Sequence, residues 1–247
     1  MEDSSGLFSK HAGSYAKSDS HAAGKDLGSL VDHLPVPAGS VSIDLATGTG
    51  FTALALARSS SVVIGLDMTL EMLNEARKLA ELEGASNMIL MKGDAYNTPF
   101  LDASFDTATC RRAAHHFSDK PRFVSEVYRI LKEPGYFGFV DMVTSESDEL
   151  DVFNELERLR DHTHAAAGSM TYWLNLVKSY GFKIEYSERQ EEKVTVEKWL
   201  SPVMADSVAG MKCLSFLEKN EAYFQDKYGF DGKSFIKSRC IIIGKKE

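Results

Sequence analysis

The stretch Val41–Ala57, V-S-I-D-L-A-T-G-T-G-F-T-A-L-A-L-A, decides how the chain is read. Val41, Ile43 and Leu45 alternate as in a short strand, Gly48 and Gly50 form a turn, and a helix opens near Thr52. A strand that stops at a glycine turn and runs into a helix brings backbone N–H groups and a helix N-terminus to one point. That setting suits a polar or anionic ligand group. The two glycines keep side chains away from a ligand and permit positive φ. Asp44 adds a carboxylate at the same end of the strand. Glycine pairs are common in turns, but G-T-G-F-T-A also satisfies the G-x-G-x-x-A form of the dinucleotide fingerprint. The next unit strengthens it. Ser61–Asp67, S-V-V-I-G-L-D, is a second apolar strand ending in a carboxylate, about 20 residues past the turn, where such folds hold a ribose diol. The pair predicts a nucleoside-containing ligand.

Upstream, Leu27, Leu30, Val31 and Leu34 follow helical spacing, and Pro35 and Pro37 end that helix. Residues 1–24 carry Phe8, Tyr15 and His21 among Ser, Ala and Gly, and read as either a frayed tail or a flap over the ligand. Downstream, a helix runs from Thr69 to Leu82 with an apolar face of Leu70, Leu73, Ala76, Leu79 and Ala80, stopped by Gly84. Strands follow at Met88–Met91, Phe105–Cys110 and Tyr136–Val143, with a helix between the last two that starts at Pro121. Strands alternating with helices imply parallel βαβ units with ligands beyond the carboxyl ends of the strands. The glycine turn, Asp67, Asp94 and Arg111 all fall at those ends. Beyond Thr144 the pattern changes to amphipathic helices around Leu150–Leu159 and Trp173–Tyr180. A strand at Lys183–Arg189, an irregular helical stretch over Val194–Tyr228 and a closing strand at Arg239–Gly244 complete the chain. Met170, Trp173, Met204 and Met211 are expected in the core, against a role lining an apolar substrate pocket, and Glu157, Arg158 and Asp161 in surface pairs.

The 247 residues, 43% of them hydrophobic, suffice for one elaborated domain. A net charge of −8 without a basic stripe argues against nucleic acid as the partner. Cys110, Cys213 and Cys240 are isolated, so neither structural zinc nor a disulfide framework is expected, and a reducing cytoplasm fits best. The polar start M-E-D-S-S-G is no signal peptide, and no apolar run approaches a membrane span.

Taken together, V-S-I-D-L-A-T-G-T-G, Asp67, Gly93-Asp94-Ala95, F-D-T-A-T-C-R at 105–111 and E-P-G-Y at 133–136 resemble the class I S-adenosylmethionine-dependent methyltransferases. The resemblance is strongest to their small-molecule, ubiquinone/menaquinone-type branch, and covers about residues 8–190. It implies a Rossmann-like α/β fold: a seven-stranded, mostly parallel sheet with helices on both faces and an antiparallel last strand. One domain would span 1–247, with a cap segment at 1–34, a cofactor core at 35–143 and substrate-side elements at 144–247. By position, Asp44 and the turn Ala46, Thr47, Gly48 and Gly50 would hold the methionine part of S-adenosyl-L-methionine. Asp67 would take the ribose hydroxyls, Met68 the adenine face, Asp94 and Ala95 the adenine edge. Arg111 would sit near the amino-acid end through its backbone, and Tyr15 and His21 would close over the cofactor. Ala46 replaces a frequent glycine, which is tolerated if φ there is negative.

A sulfonium methyl is already activated, so the protein chiefly aligns a nucleophile and excludes water, with at most a modest base. In R-R-A-A-H-H-F at 111–117, His116 is the first candidate for contacting cofactor or substrate and His115 the next, against a role as loop anchor. His164 is the other catalytic candidate, against a solvated helix end. The implied activity is methylation of a small molecule at oxygen, carbon or nitrogen, with no metal; acceptor and oligomeric state, a homodimer included, stay open. A protein that binds the cofactor without methyl transfer has the same motifs. A nicotinamide oxidoreductase would share the glycine turn and Asp67, but Gly93-Asp94-Ala95 is better suited to an adenine clamp.

Overall fold

The computed structural model describes residues 24–148, 151–201 and 203–247. In chain order it has α1 (Lys25–His33), β1 (Val41–Leu45), α2 (Phe51–Ala57), β2 (Val62–Asp67), α3 (Leu70–Leu82), β3 (Met88–Lys92) and β4 (Phe105–Arg111). A 3-10 turn (Ala114–His116) leads to α4 (Lys120–Ile130) and β5 (Leu131–Val143). Then come α5 (Val152–Arg160), α6 (Met170–Ser179), β6 (Phe182–Thr195), α7 (Val196–Leu200), α8 (Val208–Lys219), α9 (Glu221–Tyr228) and β7 (Ser234–Lys246). The seven strands form one sheet in the order β3-β2-β1-β4-β5-β7-β6. Strands β1 to β5 pair in parallel, and β7 enters antiparallel between β5 and β6. The expected Rossmann-like α/β sheet is therefore present, with its last strand antiparallel.

Strand alternation sends residues to two cores. One face buries Ile43, Leu45, Phe137, Phe139 and Ile242 beneath α4 and α6, which contribute Phe123, Val127, Trp173 and Val177. The other face buries Val63, Val140, Ile241 and Ile243 beneath Leu30 of α1, Ala53 and Leu56 of α2, and Ala76 and Ala80 of α3. Helix α1 seats closely because β5 has Gly138 there: a Cβ would lie 2.8 Å from Leu30 Cδ1 and 3.0 Å from Leu34 Cδ2. On α3 the inward residues are Met72, Leu73, Ala76 and Ala80, while Leu70 is half-exposed, so the expected face is rotated.

Beyond β5 the strands are much longer than their apolar cores. β6 and β7 pair from Phe182↔Lys246 to Thr195↔Ser234, and the far part of this hairpin carries a third core of Phe153, Leu156, Trp199, Leu217, Phe224 and Phe235. Glu157, expected on the surface, is wholly buried there. It accepts from Lys237 Nζ at 2.8 Å, Trp199 Nε1 at 3.0 Å and Arg160 Nη2 at 2.9 Å. Burial pushes its carboxyl up, but those cations outweigh it and hold it well below the usual range. Met204 and Met211, expected inside, are exposed, whereas Trp173 is in the core.

Candidate functional site

The carboxyl ends of β1, β2 and β4 place the glycine turn at the sheet edge, and its two glycines have different jobs. Gly48 has φ +55° and nothing within 4 Å of a built Cβ, so this side of the turn is open. Gly50 has φ +88°, and a Cβ there would lie 2.8 Å from Met88 Cε and 2.9 Å from Ala76 Cβ. Gly50 thus lets α2 and α3 come together, and only Gly48 faces open space. Ala46 has φ +53°, in the left-handed region. The expectation that it is tolerated at negative φ is corrected: this position keeps the conformation that favours glycine, at a cost of about 1–2 kcal/mol.

Asp67, at the end of β2, reaches across this turn. Its Oδ2 accepts the Gly48 N–H at 2.8 Å and its Oδ1 the Thr69 N–H at 2.9 Å. Burial raises its carboxyl pKa despite those bonds. Met68 beside it is half-exposed. Asp94 is exposed after β3, with its Oδ1 accepting the Tyr96 N–H at 2.9 Å, and the Ala95 side chain is buried in the core. Asp44 lies lower, 1% exposed, beneath the turn. Its carboxyl accepts from Thr47 Oγ1 at 2.6 Å and Thr109 Oγ1 at 2.7 Å, and burial lifts its pKa to about 6. Asp44 therefore braces the turn from below.

The Arg111 side chain ties α2 to α1. It donates to Thr52 Oγ1 at 3.0 Å and to Asp26 of α1 at 3.1 Å. Arg112, at φ +56°, clasps the same carboxylate with two bonds of 2.7 Å. Burial opposes the charge on Asp26, but Arg112 and then Arg111 and Arg239 outweigh it and hold its pKa at about 2. Sequence reading passed over Asp26, although it lies one helical turn before buried Leu30 and faces an adjacent arginine pair.

Past β4, the 3-10 turn brings three imidazoles together. The His115 ring lies 4.1 Å from that of His116 and 5.6 Å from that of His164, centroid to centroid. Asp141 of β5 accepts the His115 backbone N–H at 2.7 Å and meets His115 Nδ1 at 2.6 Å. Burial raises the Asp141 carboxyl, but His115 and the Met142 N–H overcome it, so the group is an anion and Nδ1 must donate. His116 Nδ1 lies 3.1 Å from the Thr163 carbonyl, and burial with the His115 ring beside it lowers His116 to about 3. His164, expected in the site or at a solvated helix end, is neither exposed nor at a helix end. It is 4% exposed in a loop, its Nε2 donating to Asn154 Oδ1 at 2.7 Å, and burial lowers it to about 4. Asn154 also binds both the N–H and the carbonyl of Ala167, so His164 anchors that loop. Asp141 was legible as a lone charge in the apolar strand Y-F-G-F-V-D-M-V, in phase with Phe137 and Phe139, and was missed. Tyr15 and His21 lie outside the described residues. A cavity of about 590 Å³ lined by Leu200, Met204 and Leu214 is on the far cap and touches none of these groups.

The family described as "Methyltransferase domain" matches residues 43–139. The uncharacterized methyltransferase YcgJ of Bacillus subtilis is 38% identical over 201 residues, 81% of this chain and 76% of that protein. This chain belongs to the methyltransferases. The solved YcgJ structure superposes with a TM-score of 0.83 at 30% identity, covering 90% of this chain and 98% of that one. A solved Bacillus halodurans chain with a methyltransferase assignment gives 0.83 at 31% identity, covering 90% and 99%. A demethylmenaquinone methyltransferase of Lactobacillus johnsonii is 37% identical over 112 residues, 44% of this chain and 46% of that protein.

Proposed function

We infer that this methyltransferase takes its methyl group from S-adenosyl-L-methionine and gives it to a small-molecule acceptor. The observation that carries the reading is the open face of Gly48, flanked by the Asp67 carboxylate and the half-exposed Met68. A carboxylate beside an apolar side chain suits a ribose diol next to an adenine, and the exposed Asp94 suits the adenine amino group. Each Asp67 oxygen receives one N–H and retains acceptor capacity for a hydroxyl. The turn from Ala46 to Gly50, braced by Asp44, and the Arg111 backbone would hold the methionine end, and Tyr15 and His21 would close over it. When bound, the cofactor supplies a methyl group activated as a sulfonium. The protein then has to hold the acceptor in line and exclude water.

A small-molecule acceptor accords with the demethylmenaquinone methyltransferase among the relatives and with the absence of a basic stripe. Among the described residues no helix is long and apolar enough to cross a membrane, and a cytoplasmic place for the enzyme is part of the proposal. We read residues 1–247 as one functional unit.

Calorimetric titration of the full chain with S-adenosylmethionine, S-adenosylhomocysteine and NADH tests the cofactor. Micromolar binding of both adenosyl ligands and none of NADH is expected. Binding of NADH alone would transfer the glycine turn to oxidoreductase chemistry and overturn the reading.

A further inference from the structure

The loop after β4 holds one imidazole whose surroundings differ from those of its two neighbours. His164 is tied through Nε2 to Asn154, and His116 through Nδ1 to the Thr163 carbonyl. His115 is held by the buried carboxylate of Asp141, and its backbone is fixed as well. Its N–H donates to Asp141, and its carbonyl accepts from Ala165 and Ala166 at 2.9 and 3.1 Å. The ring is thus fixed in position and orientation. Donation from Nδ1 leaves the lone pair on Nε2. Among the described residues the fully buried side-chain nitrogen without a partner is Trp173 Nε1. His115 Nε2, which makes no bond there either, is therefore not completely buried, and the side chain keeps 10% of its surface exposed.

We propose that His115, oriented by Asp141, accepts a proton from the methyl acceptor, so that the acceptor is a weak acid: a phenol, a hydroquinone or a carbon acid beside a carbonyl. This rests on the methyl-transfer reading above. The acceptor's O–H or C–H proton passes to His115 Nε2. The electron pair left behind forms the bond to the methyl carbon, while the carbon–sulfur bond breaks with its pair going to sulfur. The sulfonium becomes a neutral thioether, and the imidazolium returns its proton to water. A neutral amine, already nucleophilic, needs no such base before attack. Asp141 is the positioning residue. As an anion it favours the Nδ1–H tautomer and stabilises the imidazolium that forms, the role a carboxylate has behind a histidine base. The other ionisable groups around the dyad are His116 on the same turn, His164 and Asp161 from the loop, Lys120 from α4, Cys110 of β4 and Cys240 of β7, with Glu157 and Arg158 of α5 acting on His164 behind them. Among the described residues no group of three or more His, Cys, Asp or Glu is placed to hold a metal ion.

The test combines three measurements on the full chain. Nitrogen-15 NMR at pH 8 should show the His115 proton on Nδ1 and a lone-pair Nε2, and Asp141→Asn should give a mixture of tautomers. With 1,4-naphthohydroquinone as probe acceptor, His115→Gln should lower kcat by 100-fold or more, with KM and the affinity for S-adenosylhomocysteine within twofold. A proton on Nε2 in the unmodified protein, or turnover in His115→Gln within tenfold of it, would overturn the proposal. Calorimetry with S-adenosylhomocysteine separates the two levels. Failure of the unmodified protein to bind it sinks the cofactor reading, whereas normal binding with the wrong tautomer sinks the base alone.

Discussion

Gly48 and Gly50 lie two residues apart in one turn, and alanine should affect them in opposite ways. At Gly50 the φ of +88° puts any L side chain in the left-handed region, worth about 1–2 kcal/mol. The new Cβ would also meet Ala76 Cβ at 2.9 Å and Ala76 Cα at 3.3 Å. Because α3 backbone must then move, overpacking adds about 1–3 kcal/mol. The smaller entropy of an unfolded alanine returns about 0.4–1 kcal/mol. Gly50→Ala should therefore lose about 1–5 kcal/mol. At Gly48 the φ is +55° and the Cβ meets nothing within 4 Å, so the backbone cost is largely cancelled and the net loss should be about 1 kcal/mol or less. The methyl group would instead project into the space proposed for the cofactor. Gly48→Ala should weaken S-adenosylhomocysteine binding tenfold or more, about 1.4 kcal/mol.

Urea denaturation gives the stabilities and calorimetry the affinities. The expected pattern is a Gly50→Ala midpoint well below that of Gly48→Ala, with the affinity loss at Gly48→Ala in protein that is still folded. Equal stability losses would show that Gly50 does not set the spacing between α2 and α3. Unchanged affinity in Gly48→Ala would show that no ligand approaches the turn from its open side.

Three further outcomes are expected. Asp26→Asn leaves two buried guanidiniums without their shared carboxylate and should cost about 3–5 kcal/mol in urea at pH 7. Because the folded pKa of Asp26 is lowered to about 2, its contribution is present above pH 4 and is lost as the pH falls through about 2; a variant as stable as the parent at pH 7, or a stability difference that does not shrink between pH 4 and pH 2, would refute this. Glu157→Gln should destabilise by a similar ~3–5 kcal/mol through the stranded Lys237. That difference should change little on adding salt, since the pair is sealed from solvent, and a large salt effect would place the pair at the surface. Ala46→Gly relieves a left-handed alanine worth about 1–2 kcal/mol and pays glycine's extra chain entropy of ~0.4–1 kcal/mol, so thermal unfolding should show no loss and at most ~1 kcal/mol of gain.

The cofactor half of the fold was legible because its signals are local. Each of β1 to β4 is a short apolar run followed by a turn, and Asp67 and Asp94 are fixed by distance along the chain from the glycines. What escaped was anything that depends on a second element. The difference between Gly48 and Gly50 lies in Ala76, which is a helix away, and Ala46 reveals its positive φ only once β1 is laid beside β2. The Arg111 side chain was unreadable for the same reason: its direction is set by Asp26, 85 positions earlier.

The acceptor half shows why motifs there carry so little. Along β6, exposed and half-buried residues alternate through S-E-R-Q-E-E-K, which reads as a solvated strand. The pairing with β7 nevertheless extends to Thr195↔Ser234 and builds a platform on which α5, α7, α8 and α9 sit. Glu157 can be buried only because Lys237, 80 residues on, arrives from that platform. His115 gains its orientation in the same way, from Asp141 on the neighbouring strand and from the loop that Asn154 ties down. The cofactor edge is thus specified by contiguous sequence, and the acceptor side by contacts between distant segments. Relatives can keep the first while exchanging the second, so the acceptor has to be sought in the chemistry around His115 and not in the motifs proposed to hold the cofactor.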